Sequence, residues 1–237
     1  MNPQDHGFLG ILSLDTAFPR IPGDAGNPAS YAVPARLHVV EGADSTGIVR
    51  DARPEAALLE RFIDGARALE AEGACAIVST CGFLALVQAD IAGAVRLPVM
   101  LSALSLYPLV RQVCAGKVGI LTASAAALGL NTMRAAGVNP EGSVIAGLDG
   151  HALFAETFLA PKARQSASFD REAMEALVVG EARQLVQRGP EIGAILLECG
   201  NLPPYADAIR EATGRPVFSI LDAAVWMMRA ARGGLYG

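Results

Sequence analysis

An eight-residue stretch occurs twice in this chain, as AIVSTCGF from Ala76 to Phe83 and as AILLECGN from Ala194 to Asn201. Each copy is an apolar, β-rich run that stops at Cys-Gly, and Cys81 and Cys199 stand 118 residues apart. Seventeen residues after each cysteine a second apolar run enters through proline, Leu97-Pro98-Val99-Met100 and Arg215-Pro216-Val217-Phe218. A looser echo pairs Gly10-Ile11-Leu12-Ser13 with Gly119-Ile120-Leu121-Thr122, at an offset of 109. Three matches in the same order predict two similar halves, each with one cysteine at the end of a strand. The halves then face each other and the two thiols meet across a cleft.

The rest of the pattern fits that layout. Strands are expected at Phe8–Leu14, Arg36–Val40, Ala74–Thr80, Val99–Ser102, Val118–Thr122, Ser143–Gly147, Gly193–Glu198 and Val217–Ile220. Between them lie helical patterns, among them 54–71, Gly82 to about Ile91, Leu104–Cys114, Ala125–Ala136, 149–159, a long one from the N-cap Asp170 to about Gln187, Pro204–Ala212 and a last one from Asp222. Alternating strands and helices imply parallel sheets covered on both faces. The expected fold is therefore α/β, with two pseudo-twofold-related domains of parallel sheet and the active site in the cleft between them. Residues 1–102 with 218–237 form the first domain and 103–217 the second, the last helix returning to the first half. The loop from Ala17 to Tyr31 is long and rich in Pro and Gly, and a loop of that length usually covers something.

Composition excludes several classes. The apolar fraction is 52% and only 18% of residues are charged, which raises the question of a membrane span. The longest uncharged windows, Leu97–Val110 and Val118–Met133, fall short of the roughly 20 continuous apolar residues a spanning helix needs. The start, MNPQDHGFLG, has no basic residue before its apolar run, so no signal peptide is expected and the cytoplasm is the expected compartment. A net charge of −5 with interspersed signs gives no basic stripe for nucleic acid. Four cysteines without a Cys-x-x-Cys pair, and His6, His38 and His151 scattered, give neither a disulfide framework nor a metal site.

A cysteine at a strand end and helix start sits where backbone N–H groups and the helix dipole favour a thiolate. Two such cysteines at equivalent places of a duplicated chain suit 1,1-proton transfer: one thiolate abstracts a proton from carbon, and the other thiol returns one to the opposite face. The carbanion that develops beside a carboxylate then needs fixed donors around the carboxyl oxygens. Gly82 and Gly200 allow close backbone approach there.

These residues resemble the cofactor-independent aspartate/glutamate racemase superfamily, which also includes hydantoin racemases, arylmalonate decarboxylases and maleate isomerases. The resemblance covers nearly the whole chain and rests on the duplicated layout, on Cys81 and Cys199, and on Asp15-Thr16, which looks like the family's Asp-Ser pair. It implies an amino-acid racemase that works without pyridoxal phosphate or any other cofactor, with Cys81 and Cys199 as its acid/base groups. It places Asp15, Thr16, Gly82, Phe83, Thr122, Ser124, Gly200 and Asn201 around a small carboxylate substrate. Glutamate racemases follow the first cysteine with Asn-Thr and the second with Thr-His, where this chain has Gly82-Phe83 and Gly200-Asn201. Phe83 makes its side of the pocket more apolar, and Glu198 or Asn201 is left to orient Cys199.

Within the superfamily the alternatives are a hydantoin racemase or a one-thiol decarboxylase or isomerase. Outside it, a two-lobed small-molecule binding protein has the same outline; the cysteine at each lobe's strand end argues against it. A homodimer is one assembly these readings allow. Plainer readings hold elsewhere: Cys75 and Cys114 read as small core hydrophobes, Lys162 as a solvated surface lysine, and Thr122 and Ser124 also as the cap of the next helix.

Overall fold

The computed structural model describes residues 7–232. In chain order these hold β1 (Phe8–Leu14), β2 (Ala35–Val40), α1 (Ser45–Ile48), α2 (Ala56–Ala71), β3 (Ala74–Ser79), α3 (Gln88–Gly93), β4 (Val99–Met100) and α4 (Tyr107–Val113). The second half holds β5 (Lys117–Thr122), α5 (Leu130–Ala135), β6 (Ser143–Gly147), α6 (Ala152–Phe154), α7 (Arg171–Arg188), β7 (Ile192–Leu197), α8 (Ala206–Thr213), β8 (Val217–Phe218) and α9 (Ile220–Arg232). Among the described residues the strands make two four-stranded sheets, ordered β2-β1-β3-β4 and β6-β5-β7-β8. Every pairing is parallel.

The two sheets repeat each other down to an irregularity. The β1–β3 register slips between Phe8 and Leu9, and the β5–β7 register slips between Lys117 and Val118, the positions that the 109-residue offset equates. Each slip skips one residue of the partner strand, Cys75 in one half and Gly193 in the other. The helix packing repeats as well. A Cβ on Gly10 would lie 2.9 Å from Leu69 of α2, and one on Gly119 would lie 3.1 Å from Leu185 of α7. A glycine in each central strand therefore lets the long covering helix sit directly on the sheet. Strand β1 is buried along its whole length, as a strand covered on both faces must be. The last helix, α9, packs on β3 and β4 of the first sheet.

The elements differ from the sequence expectation at several boundaries, one of them set by a side chain from elsewhere in the chain. The helix expected from Ala125 begins at Leu130, because Asp51 of the first half reaches across to cap it. Its carboxylate accepts from Asn131 N–H at 3.1 Å, Thr132 N–H at 2.7 Å and Thr132 Oγ1 at 2.8 Å. Strands β4 and β8 are two residues each, cut short where Ser102 caps a 3-10 turn and Ile220 starts α9. The short α1, capped by Asp44, was not anticipated. Histidine His6 lies outside the described residues.

Because Asp51 supplies an N-cap from the opposite half, its loss acts on helix and interface together. Asp51→Ala should destabilise the fold by about 1–2 kcal/mol, read as a lowered thermal unfolding midpoint, with Asp51→Asn recovering part of the loss.

Candidate active site

Parallel strands bring their carboxyl ends to one edge of each sheet, and both edges open onto one cleft. Its walls include Thr16, Arg20, Cys81, Phe83, Glu198 and Cys199, with Phe18 and Phe158 above them. Cys81 leaves β3 through Ser79, whose hydroxyl donates to the Leu101 carbonyl at 2.5 Å and accepts from the Cys81 N–H at 3.2 Å. That pair ends the strand and makes Cys81 the N-cap of the 3-10 turn Gly82–Val87. Cys199 follows β7 at the equivalent place, where the ladder continues through Glu198 N–H to the Leu121 carbonyl at 2.9 Å, as it does in the first half through Thr80 N–H to the Leu12 carbonyl at 3.1 Å. Both thiols are nearly buried, 7% and 8% exposed.

Glu198 stands close to both thiols. Its Oε2 accepts from Thr122 Oγ1 at 2.8 Å and from Ala123 N–H at 3.3 Å. Its Oε1 is buried without a hydrogen-bond partner. A Cβ on Gly82 would lie 2.2 Å from that oxygen, so the missing side chain of Gly82 is the space the carboxylate occupies. Burial pushes the Glu198 carboxyl up to about 7, against the pull of Thr122 and Ala123.

The thiols depart from the local expectation. Burial, then the charge of Glu198, pushes Cys81 up to about 12, against the pull of the Phe83 N–H. Burial and Glu198 likewise hold Cys199 well above the ordinary thiol value, with Cys81 itself a smaller contributor. The helix-start donors are present, but desolvation outweighs them. Burial and the neighbouring carboxylate therefore favour the neutral thiol at both cysteines. This corrects the reading of a strand-end thiolate.

The long loop after β1 supplies the far wall. Its Asp24 gathers the Gly26 N–H at 2.7 Å, Arg20 at 3.1 Å and Asn201 Nδ2 at 2.7 Å. Asn201 Oδ1 in turn accepts from Cys199 Sγ at 3.4 Å, and Arg20 also donates to Thr16 Oγ1 at 3.1 Å. A chain of hydrogen bonds thus runs from Cys199 through Asn201, Asp24 and Arg20 to Thr16. Arg20 was not singled out in the sequence; one arginine in a Pro- and Gly-rich loop carries no signal of its own.

Of the expected residues, Cys81, Gly82, Phe83, Cys199, Asn201 and Thr16 line this cleft. The others are placed differently. Thr122 is spent on Glu198, and Ser124 donates to Asp149 at 2.8 Å and caps a turn to Ala127. Gly200 packs on the Thr80 carbonyl, which its missing Cβ would approach at 2.5 Å. Asp15 is turned to the Gly42 N–H and to Lys162, and the hydrogen bond from Lys162 holds its carboxyl below the usual range. Lys162, expected as a solvated surface residue, is the partner that latches the second half over the first.

That latch has further members. Gln165 Oε1 accepts from Ala17 N–H at 2.8 Å, and Ser45 Oγ donates to the Leu159 carbonyl at 3.0 Å. Phe158 meets Phe18 edge-on, with ring centroids 4.8 Å apart. Under this cover the cavity holds about 20 Å³, roughly one water. Phe158 and Leu159 thus close the second-half side of the cleft.

With this geometry in place, the relatives can be set beside it. The sequence profile of the Asp/Glu/hydantoin racemase family matches residues 29–228. The chain belongs to the Asp/Glu/hydantoin racemase family. Among solved structures of similar fold are unliganded arylmalonate decarboxylase, with a TM-score of 0.58 at 19% identity over 97% of this chain and 94% of that one, and allantoin racemase from Klebsiella pneumoniae, with a TM-score of 0.64 at 17% identity over 94% and 86%. Identities this low speak for the fold alone. Closer in sequence are dimethylsulfoniopropionate lyase from Durusdinium sp. clade D, 30% identical over 94% of this chain and 75% of its own length, and dimethylsulfoniopropionate lyase 7 from Emiliania huxleyi, 32% identical over 92% and 65%. This racemase-family chain therefore spans about two thirds to three quarters of the length of those two relatives.

The buried Glu198 also sets a pH dependence of stability. Its carboxyl lies near 4.5 when exposed and near 7 in the fold, so the fold prefers the protonated form. That preference is fully present below pH 4.5 and is lost as pH rises through about 7. Above that, at about 1.4 kcal/mol per tenfold, the ionised carboxylate costs about 3 kcal/mol. Glu198→Gln, which cannot ionise, should raise the urea midpoint at pH 8 and leave it nearly unchanged at pH 4.

Proposed function

We propose that this chain is a carbon-acid enzyme that works without a cofactor: a cleft cysteine, once its own proton has been given up, removes as a thiolate the proton α to the carboxylate of a small acid, and a leaving group on the β-carbon then departs. The observation that carries this reading is the character of the wall around the thiols. Phe18, Phe83, Phe158, Leu14 and Leu159 make it largely apolar, and Asp15, the carboxylate that would pair an amino acid's ammonium, is turned away to Lys162. A sulfonium group carries positive charge and no N–H donors, so an aromatic-lined wall beside one anionic side chain suits it better than it suits an ammonium. Relatives named as dimethylsulfoniopropionate lyases support the same substrate class.

The step balances as an elimination. The sulfur base takes the α-proton, and the C–H electron pair becomes the new C=C bond. The C–S bond to the sulfonium breaks, and dimethyl sulfide leaves with the bonding pair, so that acrylate remains. Arg20 has two of its five N–H donors engaged, by Asp24 and Thr16, and is the cation available to the substrate carboxylate.

A second reading, an amino-acid racemase using both thiols, is favoured by the equivalence of Cys81 and Cys199 in the two halves. One assay separates the two. The protein is incubated in deuterated water with dimethylsulfoniopropionate, D- and L-amino acids and 5-substituted hydantoins. Elimination yields dimethyl sulfide and acrylate, whereas racemisation places deuterium at Cα and keeps every other atom. We expect the sulfonium substrate to be cleaved. Cys81→Ala and Cys199→Ala should each lower turnover, the base by roughly a hundredfold to ten-thousandfold. If both variants turn over at the wild-type rate, the thiol mechanism is wrong.

A further inference from the structure

Neutral thiols pose a question of proton balance. A thiol that accepts a proton from carbon must give up its own, and a second group has to receive it. Glu198 is the one carboxylic acid among the residues lining the cleft. Thr122 and Ala123, both at the end of β5, fix its Oε2, and the carboxylate plane is thereby set. The free Oε1 then points to the gap left by Gly82, next to Cys81, while the backbone of Glu198 adjoins Cys199. Oε1 thus lies buried beside the Cys81–Gly82 segment with an open lone pair, and no donor, the two thiols included, occupies it in the resting arrangement. The 118-residue offset equates Glu198 with Thr80, whose hydroxyl merely accepts from the Leu14 N–H at 3.1 Å. The carboxylate belongs to one half only.

We propose that Glu198 is a catalytic base of this cleft and the end point of a proton relay: as a cysteine Sγ accepts the α-proton, its S–H proton passes to Glu198 Oε1. The carboxylate becomes a carboxylic acid, the sulfur returns to a neutral thiol, and the electron pair freed at carbon stays with the substrate. The next turnover begins when Glu198 returns its proton to solvent or product. This inference rests on the cleft being the place where carbon is deprotonated, but its test does not require the substrate to be known. The other charged groups facing the cluster are Arg20 and Asp24 from the loop after β1, and they pair with each other at 3.1 Å, so their charges largely offset. A carboxylate on one side alone also favours a one-directional reaction over the interchange of faces that racemisation needs.

Shared protons leave a kinetic mark. While Glu198 is protonated, thiolate forms by releasing a proton to water, and its population grows tenfold per pH unit. Once Glu198 is ionised, the thiolate with a protonated Glu198 is an isomer of the resting state, and its population no longer depends on pH. The probe is methyl methanethiosulfonate on the whole protein, with labelling of Cys81 and Cys199 followed by mass spectrometry of their peptides. In wild type the logarithm of the labelling rate should rise with pH, break to a plateau near pH 7 and rise again at alkaline pH. Glu198→Gln should remove the break, label faster at high pH, and lower turnover roughly a hundredfold or more. Should Glu198→Gln fail to fold, infrared titration of wild type reads the same group, through a protonated carboxyl band that disappears near neutrality. An unbroken wild-type profile, a break that survives in Glu198→Gln, or no such band overturns the relay. A break in a protein that turns over none of the tested acids leaves the relay standing and removes the elimination reading instead.

Discussion

Desolvation of one carboxylate governs the chemistry of this cleft. Glu198 is 2% exposed, with one oxygen tied to the end of β5 and the other unpartnered. Its own proton affinity rises because the charged form loses water, and the same charge raises the affinity of both neighbouring thiols. Three groups therefore titrate as a set, and the site holds protons where an isolated strand-end cysteine would shed one.

Holding that set dry takes contacts from both halves. Asp51 crosses from the first half to cap α5, and Asp24 joins its own loop to Asn201 beside Cys199. Lys162 and Gln165 return from the second half to Asp15 and Ala17. Each of these bonds joins residues more than 80 positions apart in sequence, so none is a local turn. The Asp24 network is the more buried, and it shapes the wall beside Cys199. The Asp15–Lys162 pair is half exposed on its lysine side and so contributes little holding energy.

Much of the fold was readable from the chain. The Cys-Gly repeat, the proline-led strands and the apolar runs predicted parallel strands in two similar halves, and the sheets repeat one another even in the register slip after Phe8 and Lys117. Helix ends were readable where the cap is local, as at Asp170, whose side chain accepts from Ala173 N–H. They were not readable where the cap is remote, as at Leu130, because Asp51 lies some 80 residues away. At the site, Cys81, Phe83, Cys199 and Asn201 stood out because they lie in the repeated stretch. Arg20 did not, and Asp15 and Thr122 turned to partners that only the folded chain brings near them.

The sequence by itself determined that two thiols sit at equivalent strand ends of a doubled parallel α/β chain, since hydrophobic pattern and repeat are local properties. Only the tertiary structure decided that those thiols are held toward their neutral form and share a wall with a buried acid of raised proton affinity. Proton affinity depends on lost water and on charges a few ångströms away, and those neighbours come from β5, β7 and the loop after β1, which meet only when the two halves close.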